Sequence, residues 1–238
     1  MISSAPRSTA AMLVLASVLW AAPALAQDRP GVGAYPTPDR PVASIISPEY
    51  SDEQTRDQRG EASRVLDRLA VRPDQSVADI GAGLGYYTVR LARRLGPGAT
   101  IYATDVTAAY LERLRKRLAR EGIKSVRLAM GGARDPRLPP DSVDIAIVSH
   151  VYHEIENPYE FFARLQPSLR MGARVGIIDM DRPTKDHGTP PALLRCELGA
   201  VGYRQVDFMS LAPADGYLAV FGAPATSPSP ADIKPCRQ

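Results

Sequence analysis

Two stretches of the chain carry residue types at spacings that could do chemistry. The first is Asp79-Ile80-Gly81-Ala82-Gly83-Leu84-Gly85, an acidic residue followed by three glycines at alternate positions. The apolar run Val77 to Ile80 fits a buried strand. Tyr87, Leu91 and Leu95 then recur at helical spacing, so a helix begins at about Leu84. Strand, glycine turn and helix let a nucleotide-bearing ligand approach the backbone without meeting a Cβ, and the helix N-terminus presents free N–H groups to it. The alternative is a structural turn with no ligand. The second stretch is Ser149-His150-Val151-Tyr152-His153-Glu154, which follows an apolar strand over 142–148. Two histidines three apart share one turn face, and imidazole titrates near neutral pH, which suits a general base. The plainer alternative is that both histidines only shape a pocket. A metal set of His150, His153, Glu154 and His187 competes with both. The order H-x-x-H-E matches no established zinc spacing, so no metal is expected.

The elements that must position these residues alternate in type. Strands are expected at 77–80, 99–104, 125–130, 142–148 and 174–180. Helices are expected from about Leu84 to Leu95, Ala108 to Glu121, Asn157 to Leu169 and Pro190 to Ala200. Two β-rich runs, Tyr203 to Leu211 and Tyr217 to Phe221, read as a closing antiparallel hairpin. Alternation of this kind predicts an α/β fold with a Rossmann-like, seven-stranded, mostly parallel sheet. Asp105 stands at the end of the second strand, twenty residues after Gly85. Ligands of such sheets bind beyond the carboxyl ends of the strands. A carboxylate there can accept hydrogen bonds from both hydroxyls of a ribose, each worth roughly 1.5–3 kcal/mol. Asp105 as a plain helix cap is the alternative. The glycine spacing G-x-G-x-G departs from the dinucleotide fingerprint G-x-G-x-x-G, because Tyr86 occupies the third glycine's place. A dehydrogenase is thereby disfavoured.

Composition bounds the rest. The 238 residues suit one domain with appendages, and a 45% hydrophobic fraction suffices for a core. A net charge of +3 is too small to argue for nucleic acid or a membrane surface. The basic helix around Arg113 to Arg120 lacks interleaved aromatics and reads as a solvated face. Residues 1–26 have the form of a secretory signal peptide: Arg7, an apolar run from Ala10 to Ala22, and the small-residue site Ala24-Leu25-Ala26. The expected product is periplasmic or secreted, with no stable membrane insertion after cleavage. Residues 27–51, rich in proline, read as an extended linker. Residues 52–222 form the domain, opening with a helix over Asp52 to Leu69, and residues 223–238 read as a disordered tail. Cys196 and Cys236 could pair across about 40 residues, but nothing in the sequence brings them together.

The acidic residue, the D-x-G-x-G-x-G spacing, Asp105 and the edge of the fourth strand together resemble the class I S-adenosylmethionine (SAM)-dependent methyltransferases, over roughly Asp57 to Gly222. The resemblance implies SAM as cofactor, held by Asp79, Gly81, Gly83, Gly85 and Asp105, with Ala133 and Ser149 beside it. It also implies that His150, Tyr152 and His153 face a methyl acceptor. The family commonly has an acidic residue after the third strand, where this chain has Gly132, so Asp135 or the Ala133 backbone would meet the adenine. No added substrate domain is visible, which favours a small-molecule acceptor over nucleic acid. A non-catalytic exported binding protein reusing the pocket is the alternative.

Overall fold

The computed structural model describes Met1 and residues 34–45, 52–211 and 216–237. The chain divides into two units, Met1–Val32 and Gly33–Gln238, and every element below belongs to the second. The signal-peptide reading of residues 1–26 lies outside the described residues, Met1 excepted.

Seven strands form one sheet in the order β3-β2-β1-β4-β5-β7-β6: β1 Ser76–Ile80, β2 Thr100–Asp105, β3 Val126–Met130, β4 Val143–Ser149, β5 Leu169–Asp179, β6 Arg204–Ser210 and β7 Tyr217–Gly222. β1 to β5 pair in parallel. β7 runs antiparallel to β5 and to β6, as the expected hairpin does. Strand order reverses between β1 and β4, and such a switch point opens a crevice at the strands' carboxyl ends. Asp79 of β1 and Ser149 of β4 lie there.

Side-chain alternation assigns the two faces of the sheet. Ala78, Ile80, Ala146 and Val148 pack with α5 (Pro158–Leu165) and α6 (Pro191–Ala200) through Tyr159, Phe162, Leu194 and Leu198. Val77, Ile145 and Ile147 pack on the other face with α2 (Glu61–Arg68) and α3 (Tyr86–Leu95) through Val65, Leu66, Tyr87 and Leu91. The helix α4 (Ala108–Arg120) packs Leu114 and Leu118 against Val89 and Ala103. Asn157 caps α5 by accepting from the Glu160 N–H at 3.0 Å, with Pro158 at the first helical position.

Three expectations need correction. The helix expected over 52–69 is two helices, α1 (Glu53–Gln58) and α2, broken at Gly60, whose φ of +66° leaves the right-handed helical region. The described part of the proline-rich stretch, 34–45, is no free linker. Arg40 is buried and donates to Glu197 at 2.9 Å and to the Ile155 carbonyl at 3.1 Å. Glu197 also accepts from the Tyr152 hydroxyl at 2.8 Å. Burial pushes the Glu197 carboxyl up while Arg40 pulls it back down. The Ala43 N–H donates to the His153 carbonyl at 3.1 Å, so this strap is fastened to the turn that follows β4. The tail, described over 223–237, is likewise packed. Ile233 and Cys236 are buried, and Cys236 is disulfide-bonded to Cys196 of α6.

The disulfide closes a 40-residue separation, for which loop entropy gives a stabilisation of about 4 kcal/mol. The double variant Cys196→Ser, Cys236→Ser is expected to unfold at lower urea, losing about 2–4 kcal/mol. An unchanged urea midpoint would show that the tail is held without the bond.

Candidate functional site

The crevice at the switch point opens into a cavity of about 770 Å3, within the usual size of small-ligand sites. Its floor is the end of β1 and the glycine turn. The N–H groups of Gly81 and Ala82 donate to the Thr104 carbonyl at 2.8 and 2.9 Å, folding the turn back over β2. All three glycines have positive φ: +70° at Gly81, +54° at Gly83 and +89° at Gly85. Only Gly81 and Gly83 line the cavity. A Cβ on Gly81 would lie 2.5 Å from Val151 and one on Gly85 2.4 Å from Leu114. The glycines at 81 and 85 thus answer to packing within the protein as well as to backbone conformation. Gly85 departs from the expectation because it faces α4, not the ligand space.

Two carboxylates look into this end of the cavity. Asp105 accepts from the Gly83 N–H at 2.9 Å and from the Thr107 N–H at 2.8 Å, so it pins the glycine turn while lining the cavity. Each oxygen keeps a lone pair for a further donor. The cap reading is not met: Thr107 stands at the cap position of the following helix, and Asp105 bonds the Thr107 N–H ahead of it. Asp79 is buried and accepts from the Thr88 hydroxyl at 2.5 Å. Burial pushes its carboxyl up to about 6; the Thr88 bond opposes this and the like charge of Asp105 adds to it. A cation placed here would relieve the rise. Ala133 lines the cavity together with Gly131 and Gly132. Asp135 does not line it; its carboxylate caps the Arg137 N–H at 2.7 Å. Of the two residues expected to meet an adenine, Asp135 or Ala133, only Ala133 lines the cavity.

The roof comes from α1 and α2. Arg56 donates to both oxygens of the buried Glu61, at 2.6 and 2.8 Å, and to Ser149 Oγ at 3.2 Å. Tyr87 donates to the same Glu61 at 2.9 Å. Burial acts to raise the Glu61 carboxyl, but Arg56 holds it low. The Arg56 guanidinium also stacks 3.6 Å from the Tyr86 ring centroid, a cation–π contact. Arg56 and Glu61 were missed as site residues, although the expected helix contained them. Their signal was only an Arg and a Glu five apart on an amphipathic segment.

The far end of the cavity is lined by His150, His153 and His187, and the whole chain has 3 histidines. His150 follows β4 with φ +55°, an uncommon conformation for a residue with a Cβ, fixed by its N–H donating to the Ile178 carbonyl at 2.8 Å. Burial and the nearby Arg56 depress its pKa, against the opposing pull of Asp179 and Glu61. His153 is 2% exposed; its Nδ1 lies 2.9 Å from Asp179 Oδ1. The buried Asp179 also accepts from the Thr189 hydroxyl at 2.8 Å and the Met180 N–H at 2.9 Å. Tyr152 departs from the expectation. It is fully buried, points to Glu197 and does not line the cavity. Adjacent residues of the short 3-10 turn Tyr152–Glu154 face different ways, so His153 faces the cavity and Tyr152 the core.

Comparison with known proteins agrees with this geometry. A family model described as a methyltransferase domain matches residues 77–172. The nocamycin O-methyltransferase of Saccharothrix syringae is 29% identical over 116 residues, covering 49% of this chain and 41% of that protein. The chain thus spans about two fifths of that relative's length. A SAM-dependent methyltransferase from Aquifex aeolicus superposes with a TM-score of 0.67 at 20% identity, covering 76% of this chain and 98% of that one, which shows a shared fold. A possible exported protein from Bordetella parapertussis superposes with a TM-score of 0.57 at 16% identity, over 72% of this chain and 68% of that one. The match to a methyltransferase domain over residues 77–172 thus takes in the glycine turn, Asp79 and Asp105 at the switch point of the sheet, and the chain is similar to SAM-dependent methyltransferases in that domain and in fold.

Proposed function

We propose that the protein transfers the methyl group of SAM to a small molecule that enters at the histidine end of the cavity. The observation that carries this reading is the pair Asp79 and Asp105, which line one cavity together with the glycine turn. The residues fit the donor. Asp105 keeps acceptor capacity for ribose hydroxyls. Asp79, raised by burial, gains from a cationic neighbour, and SAM carries both an ammonium and a sulfonium. Bound there, SAM supplies a methyl group on a sulfonium, already a good leaving group. The protein's work is then alignment, which in the best cases contributes about 7–11 kcal/mol. Ser149 and His150, at the end of β4, border the space between donor and acceptor. A neutral imidazole at this end takes the proton of a hydroxyl acceptor.

A small acceptor is supported by the walls. The strap residues Val42 to Ile45 and the helix α1 flank the cavity, which narrows access. On the basic helix α4, Arg115 and Lys116 pair with Glu112, and Arg117 with Glu53 and Glu121, so these three cations are held within the protein. Export is supported by the signal-like residues 1–26 and by the disulfide, since such bonds persist in oxidising compartments.

Calorimetric titration of the tag-free protein with SAM is expected to show one saturable site. Asp105→Asn, which keeps the shape but removes the charge and turns one acceptor oxygen into an NH2 donor, is expected to weaken it about tenfold to hundredfold. Absence of binding by a folded chain would leave the non-catalytic reading. Affinity should also depend on pH with a definite sign. The free Asp79 carboxyl titrates at about 6, and a cationic donor favours its ionised form. Affinity is therefore full above that pH and falls as pH drops through it, approaching about tenfold per unit. Asp79→Asn should bind more weakly at pH 7.5 and lose most of that slope between pH 7 and 5. A wild-type affinity flat over this range would remove Asp79 from the donor site.

A further inference from the structure

The histidine end contains an arrangement that the general-base reading does not use. His153 Nε2 and His187 Nδ1 are buried and have no hydrogen-bond partner among the described residues. A buried nitrogen with an unused lone pair or proton is costly unless something meets it. Ligand atoms of His153, Glu154 and His187 all lie within 4.8 Å of one another, and Glu154 Oε1 is 4.0 Å from His153 Nε2. Around a tetrahedral ion with bonds of about 2.0–2.1 Å, neighbouring ligand atoms stand about 3.3–3.4 Å apart. Side-chain shifts of about 1 Å would close the set.

The second shell is in place as well. Asp179 holds His153 Nδ1, which directs the Nε2 lone pair away from the carboxylate. Carboxylate, histidine and ion in this order are the usual support of a metal-binding imidazole. Asp179 is itself fixed by Thr189 and the Met180 N–H. The loop after β5 brings His187 back over this point. The Thr189 N–H donates to the Met180 carbonyl at 2.8 Å, and Arg182 donates to the His187 carbonyl at 3.0 Å. Gly188 allows the return, since a Cβ there would lie 2.6 Å from the Met180 carbonyl oxygen. The two histidine rings meet edge to face with centroids 5.6 Å apart.

We propose that His153, Glu154 and His187 bind one divalent first-row transition ion of the zinc type at the acceptor end of the cavity, with Asp179 as positioning residue for His153. Two imidazoles and a carboxylate are a donor set for such ions and leave at least one coordination position for water or an acceptor atom. The expectation of no metal came from the order H-x-x-H-E, whose first histidine, His150, lies outside the set that the fold brings together. Under this assignment His150, outside the set, is the imidazole left to accept a proton. The site does not depend on the methyl-transfer reading, because its test reads metal and not methylation.

The test is equilibrium titration of tag-free, chelator-stripped protein with Zn2+ and with Co2+. The expected result is one equivalent per chain. His153→Gln and His187→Gln should each weaken binding at least about tenfold, and Asp179→Asn about tenfold to hundredfold. Circular dichroism of each variant confirms that it is folded. Should the variants not fold, the Co2+ spectrum of the wild type decides. Visible bands of four- or five-coordinate Co2+ without thiolate charge transfer support the site, since no free cysteine is present. A six-coordinate, aquo-like spectrum overturns it. So does absence of stoichiometric binding, or binding undiminished in the folded double variant His153→Gln, His187→Gln.

Discussion

The carboxylate of Asp179 is the point to which the histidine end of the cavity is tied. It is completely buried at the end of β5, where an unpartnered charge would cost several kcal/mol. Three donors meet it: the His153 ring, the Thr189 hydroxyl and the Met180 N–H. These belong to the turn after β4, the start of the segment leading into α6, and the loop after β5. β7 closes on the same place, because a Cβ on Gly216 would lie 2.0 Å from the Asp179 carbonyl oxygen. One buried acid thereby sets the relative positions of segments that share no other short-range signal. Removing its charge would loosen all of them together.

The glycine-turn end of the cavity is built on a different principle. Asp79, the glycine turn and Thr88 lie within ten residues, and the turn also bonds the Thr104 carbonyl through the Gly81 and Ala82 N–H groups. Asp105 comes into place through strand pairing, Asp79 beside Ala103 and Ile80 beside Thr104. Its bond to the Gly83 N–H then joins the ends of β1 and β2. Positive φ at each glycine removes most substitutions at the turn, and packing against Val151 and Leu114 removes the rest at 81 and 85.

This difference decides what the sequence revealed. The sheet and the place of Asp79 and Asp105 at strand ends were legible because strand periodicity, glycine spacing and carboxylates at strand ends are local signals. Element ends mostly shifted by one to three residues, as with β3 beginning at Val126 instead of Ser125. The strap and the tail were not legible. Proline density correctly excludes helix over 34–45, but the order of that segment comes from Arg40 meeting Glu197, 157 residues away. The tail is ordered by Cys196 and Ile233, neither of which announces its partner. Tyr152 is placed beside an acceptor by the resemblance alone, whereas the turn after β4 sends its hydroxyl to Glu197.

The strap also ties the histidine end of the cavity to distant parts of the chain. Arg40 and Tyr152 share Glu197 of α6, and α6 carries Cys196, to which the tail is bonded. From Arg40 the strap runs directly to Ala43, whose N–H holds the His153 carbonyl, and on to Ser44 and Ile45 in the cavity wall. A buried ion pair contributes little net stability, yet breaking one side of it leaves an uncompensated charge. The pair thus acts as a register pin for the strap more than as a source of stability. The wall at the histidine end therefore depends on partners far away in the chain, Arg40 with Glu197 above all, whereas the glycine turn rests on the ends of β1 and β2. The two ends of the cavity are specified by different parts of the sequence, and they meet where Val151 packs against Gly81.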